Sequence, residues 1–487
     1  MTQTMTSLAA PLHASALPAR IVASWNAAAA RWNPIAVIVV AWAVLAVPLV
    51  FFRGYTSHEG LAVSIARTAL ETGDWLTPHM YNVRFVERPT LQSWIIAAIS
   101  APFGEVNQIT ARLPSVLFLL FGCLLIYWLL RRVAASVSAA LLGVALFLAC
   151  PLVMRSYVMI TADLPLAVLL FFAFVLWWSG YAQESVSVSR WLAIGVVLAL
   201  AGLLKGPQPV GYFALGVGLF VVGTRSWRQI PGLLLAGLIC AVPLVIWYGL
   251  TYAPGDEATW SAFMRLAQPR ETFSGPIGAS LRVIADTLPA ALLAAAFLIA
   301  YGFREKRFVR PQFMAALACY AFVAAVLILF WPAGSTPRYY LPMVLPLCVF
   351  GGLGYDQLSV RRPQLVAPIL VLTGGLLIYG LAYSLASPLF PQQFRQAEVE
   401  GAQVTALMEA APGPIFWSGD VALNLLPYLP GHIENASFEQ LAAVAGPAWM
   451  IMTTADAEAM VARRPGKLHI VRPLGETEQW RLVRLDR

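Results

Sequence analysis

The chain has 487 residues, 59% hydrophobic and only 11% charged, with a formal net charge of +8 and a mean hydropathy of +0.72. Soluble domains carry about 25% charged residues, so this composition excludes a water-soluble globular protein and indicates an integral membrane protein. The apolar runs reach roughly 18–23 residues, enough to cross a hydrocarbon core as helices, and their continuity excludes a β-barrel, whose strands alternate over about ten residues.

Eleven spans are expected, roughly at 34–52, 113–130, 136–154, 164–181, 190–204, 208–224, 231–251, 281–303, 312–331, 341–357 and 364–386. Residues 1–33, Ala-rich with Arg20 and Arg31, read as a cytoplasmic segment without a cleavable signal. Every connection on one face carries basic residues: Arg20 and Arg31, Arg131 and Arg132, Arg190, Arg225 and Arg228, then Arg304, Lys306, Arg307 and Arg310, and finally Arg361 and Arg362. The positive-inside rule makes that face cytoplasmic, and much of the net positive charge is topological rather than a sign of an anionic partner. Nothing in the chain points to nucleic acid. The five cysteines (Cys123, Cys150, Cys240, Cys319 and Cys348) all fall inside apolar runs and read as packed hydrophobes, not a disulfide framework.

The opposite face carries fewer, more individual charges. Its first loop, 53–112, holds His58, Glu59, Arg67, Asp74, His79, Arg84, Glu87, Arg88 and Arg112. Within it GLAVSIARTALETGDW has helical apolar spacing and Gly73 where a helix would stop, predicting an amphipathic helix along the membrane surface with His58 and Glu59 just ahead of it. Further along come Arg155, Thr161-Ala162-Asp163-Leu164-Pro165, Lys205-Gly206-Pro207, Arg270 in the 252–280 loop and Arg338-Tyr339-Tyr340. Charges at span ends are costly unless paired or solvated, which marks them as functional candidates. Read one by one they have plainer explanations: Asp163 as an N-cap with Pro165 inside the first turn, Gly206-Pro207 as a helix end, Arg155 as a snorkelling side chain. Residues 388–487 change character. Strand-length runs at 414–418, 448–454, 468–474 and 480–485 alternate with short amphipathic helices, which predicts a small extramembrane α/β domain serving as a lid or scaffold.

A phosphate-bearing lipid would require Lys or Arg at the membrane surface; Lys205 and Arg338 come first, then Arg88 and Arg270. Transfer of a group from phosphate also requires a base, and Asp163, Glu59 and His58 are available. A divalent metal at His58 and Glu59 is a candidate cofactor; no other cofactor is indicated.

The series HEG…IARTALETGDWLTP…VRFVERPTLQSW…ARLPS, followed by TADLP, LLKGP and RYYLP, resembles the bacterial lipid A aminoarabinose transferases and the wider protein-mannosyltransferase-like group. These are GT-C membrane glycosyltransferases that use polyprenyl-phosphate sugars. The resemblance implies an α-helical polytopic membrane protein of about 11 helices. A GT-C-like catalytic domain would span 34–387, with juxtamembrane helices in its first periplasmic loop, and a periplasmic α/β domain would occupy 388–487. It implies an inverting glycosyltransferase, acting as a monomer in the bacterial inner membrane, that moves sugar from undecaprenyl phosphate to lipid A or another glycolipid or protein acceptor on the periplasmic side. By position, Glu59 matches the second acid of the family's Asp-Glu pair, Asp163 a later acid, Glu87 and Arg88 a Glu-Lys pair, and Lys205 a lysine near the donor phosphate; Arg112 and Tyr339 fall in supporting positions. The departures are His58 for the pair's first acid, Thr90 for the second proline of a Pro-Pro, and the absence of a tyrosine after the acidic pair. The competing expectations are a flippase for lipid-linked sugars, against which stand the absence of an inverted repeat and the one-sided charges, and a non-catalytic binder in which His58 marks lost activity.

Overall fold

The computed structural model describes residues 16–85, 88–183, 185–252, 282–300, 311–329, 337–418, 424–429, 433–475 and 480–486. Helix α1 (Ala16–Arg31) precedes α2 (Pro34–Phe52), α3 (Ser57–Thr72), a hairpin of β1 (His79–Met80) and β2 (Val83–Arg84), and α4 (Leu91–Ser100). The bundle continues with α5 (Gln108–Arg132), α6 (Val137–Ala149), α7 (Pro151–Ser156), α8 (Asp163–Tyr181), α9 (Val188–Lys205), α10 (Gln208–Gly223), α11 (Ile230–Thr251), α12 (Ala290–Phe297), α13 (Pro311–Leu329), α14 (Leu341–Arg361) and α15 (Pro363–Ala386). Each expected span overlaps helix among the described residues. Among the described residues, α2, α5, α8, α9, α11, α14 and α15 are long and apolar enough to cross a membrane, and α6, α10, α12 and α13 are shorter apolar helices.

Local chemistry sets many of the boundaries. Asn33 accepts from the N–H groups of Ile35 and Ala36 at 2.9 and 3.2 Å with Pro34 opening α2, and Asn107 with Thr110 forms a capping box on α5. The expected 136–154 span is cut at Cys150, because Pro151 has no N–H to continue the ladder and starts α7 instead. Helix α14 lies at the centre of the bundle, packed against α5, α6, α8, α12, α13 and α15. The N-terminal segment is not featureless: α1 packs on α6 and α15, with Trp25 donating to the Ser138 carbonyl at 3.1 Å and Asn26 accepting from Tyr355 at 2.8 Å.

The first loop departs from expectation in two ways. Its helix starts at Ser57, so His58 and Glu59 stand inside the first turn, with Thr56 and Glu59 forming a capping box; Gly73, at φ +75°, ends it as anticipated. Nor is α3 packed on one side only. Val63 and Ala66 pack with Ile96, Ala97, Ala111 and Ile160 of the bundle, whereas Ile65 joins Met80, Tyr81 and the C-terminal domain.

That domain holds α16 (Pro391–Phe394), α17 (Gln396–Ala410), β3 (Ile415–Trp417), β4 (Ile433–Asn435), α18 (Phe438–Ala443), β5 (Ala448–Thr453), α19 (Thr454–Arg463), β6 (Leu468–Leu474) and β7 (Trp480–Leu485). The sheet order is β4-β3-β5-β7-β6, with β3 parallel to β4 and β5, and β7 antiparallel to β5 and β6. Alternate residues of β5 face opposite cores: Trp449 and Ile451 toward α17 and the first loop, Ala448, Met450 and Met452 toward α18 and α19. With both faces covered, this strand is a continuous apolar run rather than an alternating one.

Candidate active site

Three chain segments far apart in sequence deliver one charged cluster. Asp163 is the first residue of α8; Lys205 is the last of α9, where Gly206 at φ +85° turns the chain away; and Arg338 lies in the 3-10 turn Pro337–Tyr340 that opens α14. Lys205 Nζ donates to Asp163 Oδ1 in a buried ion pair, and Arg338 Nε lies 3.3 Å from Asp163 Oδ2. The Lys205 ammonium also sits over the Tyr339 ring, 3.8 Å from its centroid, an arrangement worth about 0.5–2 kcal/mol. Asp163 is not an N-cap: Ala162 holds that position, and the carboxylate is turned to the two cations. Arg88, on the turn before α4, lines the same cavity with Thr161, Asp163, Lys205, Arg338 and Tyr339. Three cations face one carboxylate there, a net of two positive charges among the described lining residues. Such a site favours an anion at the membrane surface.

Glu59 and Arg112 lie behind this cavity rather than in it. Glu59 is fully buried; Oε2 accepts from Thr56 N–H at 2.7 Å and from its hydroxyl at 2.9 Å, and Oε1 accepts from Ile160 N–H at 3.0 Å. It thereby caps α3 and pins the loop that delivers Asp163. Arg112, also fully buried, donates to the carbonyls of Val50 at 3.2 Å, Gly54 at 2.8 Å and Arg53, and lies 3.9 Å from Glu59 Oε1. It closes the C-terminus of α2 and joins it to α3. The His58 side chain, Glu87 and Arg270 lie outside the described residues. Elsewhere, Arg155 pairs with Asp286 at 2.6 Å, which gives it a partner beyond snorkelling.

Glu59's oxygens are taken by protein donors, and no group of three His, Cys, Asp or Glu side chains comes together to hold a metal among the described residues.

The sequence profile of the family described as dolichyl-phosphate-mannose-protein mannosyltransferase matches residues 87–247, which include Arg88, Asp163 and Lys205. The undecaprenyl phosphate-alpha-4-amino-4-deoxy-L-arabinose arabinosyl transferase of Erwinia tasmaniensis is 28% identical over 322 residues, 62% of this chain and 56% of the relative. That of Pseudomonas aeruginosa strain UCBPP-PA14 is 24% identical over 390 residues, 73% of this chain and 66% of the relative. The chain thus spans a little over half the length of the first of these curated relatives. The crystal structure of ArnT from Cupriavidus metallidurans superposes with a TM-score of 0.72 at 17% identity, covering 93% of this chain and 97% of that one; ArnT has also been solved bound to undecaprenyl phosphate. The chain has the GT-C glycosyltransferase fold. The Archaeoglobus fulgidus oligosaccharyltransferase, in complex with Zn and sulfate, is a more distant match, with a TM-score of 0.54 at 12% identity over 89% of this chain and 70% of that one.

Within this GT-C fold, the site charges and the basic connections lie at opposite ends of the helices. Arg112 and Asp163 are near the starts of α5 and α8 and Lys205 is at the end of α9, while Arg131 and Arg132 end α5 and Arg190 lies near the start of α9. Sequence reasoning did not single out Thr161, Gln92 or Ser93, which line the cavity, and it treated Thr90 only as a departure from a motif. The polar residues of the run PTLQS were the signal for Gln92 and Ser93, and the stretch TADLP was the signal for Thr161.

Proposed function

We propose that this protein is an inverting glycosyltransferase of the bacterial inner membrane, moving a sugar from undecaprenyl phosphate to lipid A or a related glycolipid on the periplasmic side. The observation that carries the reading is the convergence of Asp163, Lys205 and Arg338 in one cavity with Arg88. The relatives named as undecaprenyl-phosphate aminoarabinose transferases supply the donor class, and the basic connections opposite the site supply the orientation.

The donor phosphate sits among Lys205, Arg338 and Arg88. Drawn to the phosphate, the cations loosen from Asp163, whose carboxylate then takes the acceptor hydroxyl proton. The acceptor oxygen attacks the anomeric carbon, the bond from that carbon to the phosphate oxygen breaks, and the electron pair leaves with the phosphate. The charge developing on the leaving group meets cations already in place, where preorganised electrostatics are worth most. A single displacement of this kind inverts the anomeric configuration. His58 is the second candidate base, and Glu59 is assigned to positioning because its acceptors are taken.

The test is transfer from undecaprenyl phosphate-4-amino-4-deoxy-L-arabinose to lipid A by the full-length protein, read by mass spectrometry. Asp163→Asn and Lys205→Met are each expected to lower turnover by about 10²–10³-fold; His58→Ala measures the second base. Full transfer by Asp163→Asn would sink the mechanism. Donor binding without transfer to any acceptor would favour a binding protein instead.

A further inference from the structure

One wall of the cavity is polar, uncharged and buried, and the mechanism above does not use it. Thr90 is 7% exposed and Gln92 4%, both line the cavity, and both carry a buried side-chain oxygen, Thr90 Oγ1 and Gln92 Oε1, with no hydrogen-bond partner among the described residues. Thr90 stands at the N-cap of α4, where a threonine usually accepts from the first turn, yet its hydroxyl makes no capping bond. Gln92 is anchored on one side only: Nε2 donates to Ser115 Oγ at 3.4 Å, leaving Oε1 as the open acceptor. Neighbouring Ser93 is already committed to the Ala62 carbonyl at 3.0 Å. Buried polar atoms are nearly always satisfied, so two open oxygens on one cavity wall point to a partner that arrives with the substrate.

Resting on the proposed function, we propose that Thr90 and Gln92 form the sugar-reading wall of the site, accepting hydrogen bonds from hydroxyl or amino groups on the donor's sugar ring. The anomeric carbon is one bridging oxygen from phosphorus, so a phosphate held by Lys205, Arg338 and Arg88 brings the ring into the same cavity. Gln92 Oε1 is acceptor-only and the Thr90 hydroxyl completes it. The wall therefore suits donor-bearing substituents and rejects deoxy or O-alkylated rings at that edge, because such a ring leaves the buried oxygens unpaired.

The experiment compares binding of bare undecaprenyl phosphate with binding of undecaprenyl phosphates bearing 4-amino-4-deoxy-L-arabinose, a neutral pentose or a neutral hexose, using the full-length protein in lipid nanodiscs. Wild type is expected to bind at least one sugar-bearing lipid roughly tenfold or more tightly than the bare lipid. The Thr90→Val/Gln92→Met double variant is expected to lose that preference while keeping its grip on the bare lipid. Retained bare-lipid binding serves as the folding control, and Thr90→Ser, which keeps the hydroxyl, is expected to retain the preference. A double variant with an intact preference overturns the wall and leaves the phosphate reading standing, as does a wild type that binds every lipid alike. A wild type that binds none of them overturns both.

Discussion

Arg112 lies in a motif-like stretch, yet its contacts are those of a buried structural cation. Its guanidinium takes up the last carbonyls of α2, faces Glu59 at 3.9 Å and lies 5.2 Å from the centroid of the Tyr55 ring, with Arg112 and Glu59 both at zero exposure. Removing one partner of a buried pair leaves an uncompensated charge, at a cost of about 3–5 kcal/mol. Arg112→Ala is therefore expected to lower the thermal unfolding midpoint in detergent sharply, and an unchanged midpoint would refute the structural role assigned here. Lys205 and Asp163 are also buried and paired, but they open onto the cavity. The difference between the two clusters lies in what surrounds them. Backbone carbonyls and N–H groups engage the terminal nitrogens of Arg112 and both oxygens of Glu59, whereas Asp163, Lys205 and Arg338 answer mainly to one another and so can exchange partners.

At the scale of elements, α3 does the positioning. Glu59 uses one oxygen to close the capping box with Thr56 and the other to hold Ile160 N–H, three residues before Asp163. Losing a threonine cap costs about 1 kcal/mol, so Thr56→Ala should lower stability by that order while leaving transfer nearly intact. Glu59→Ala also frees the Ile160 loop and is expected to lower kcat well beyond what its stability loss explains. Equal kcat values for the two variants would separate α3 from the site. The boundary of this helix was readable, since Thr56-Ser57-His58-Glu59 is a capping-box sequence.

Over the whole molecule, the C-terminal domain is docked by the first loop. Tyr428 stacks on Tyr55 at 5.1 Å, its hydroxyl accepts from Tyr55 N–H at 3.0 Å and from Gln108 Nε2 at 2.9 Å, and Tyr81 donates to the Leu426 carbonyl at 3.1 Å. Burial pushes the Tyr428 phenol from its ordinary value near 10 up to about 12, and burial raises Tyr55 as well. A folded-state value above the unfolded one means that the neutral phenol's contribution is complete below pH 10 and is lost as pH rises from there through 12. Docking is thus expected to weaken between pH 10 and 12, read as faster proteolytic release of the domain. In Tyr428→Phe that step should shrink, with docking already weaker at neutral pH; an identical alkaline profile in wild type and variant would exclude Tyr428 as its source.

Composition and hydropathy were enough to give the helical membrane bundle, because a lipid-facing helix must satisfy its backbone internally and bury apolar surface over a fixed length. Strand-length apolar runs likewise marked four of the five strands of the C-terminal sheet; Ile433–Asn435, with Glu434 and Asn435, is not an apolar run. The placement of Asp163, Lys205 and Arg338 in one cluster depended on helix packing, which brings together an α8 start, an α9 end and an α14 entry. Periodicity reports which face of a helix is apolar, but not which neighbour it meets. For the same reason, only the tertiary structure divided the charged first loop. Arg88 went to the cavity, Glu59 and Arg112 to the scaffold behind it, and Thr90 and Gln92 were left with open oxygens on the cavity wall.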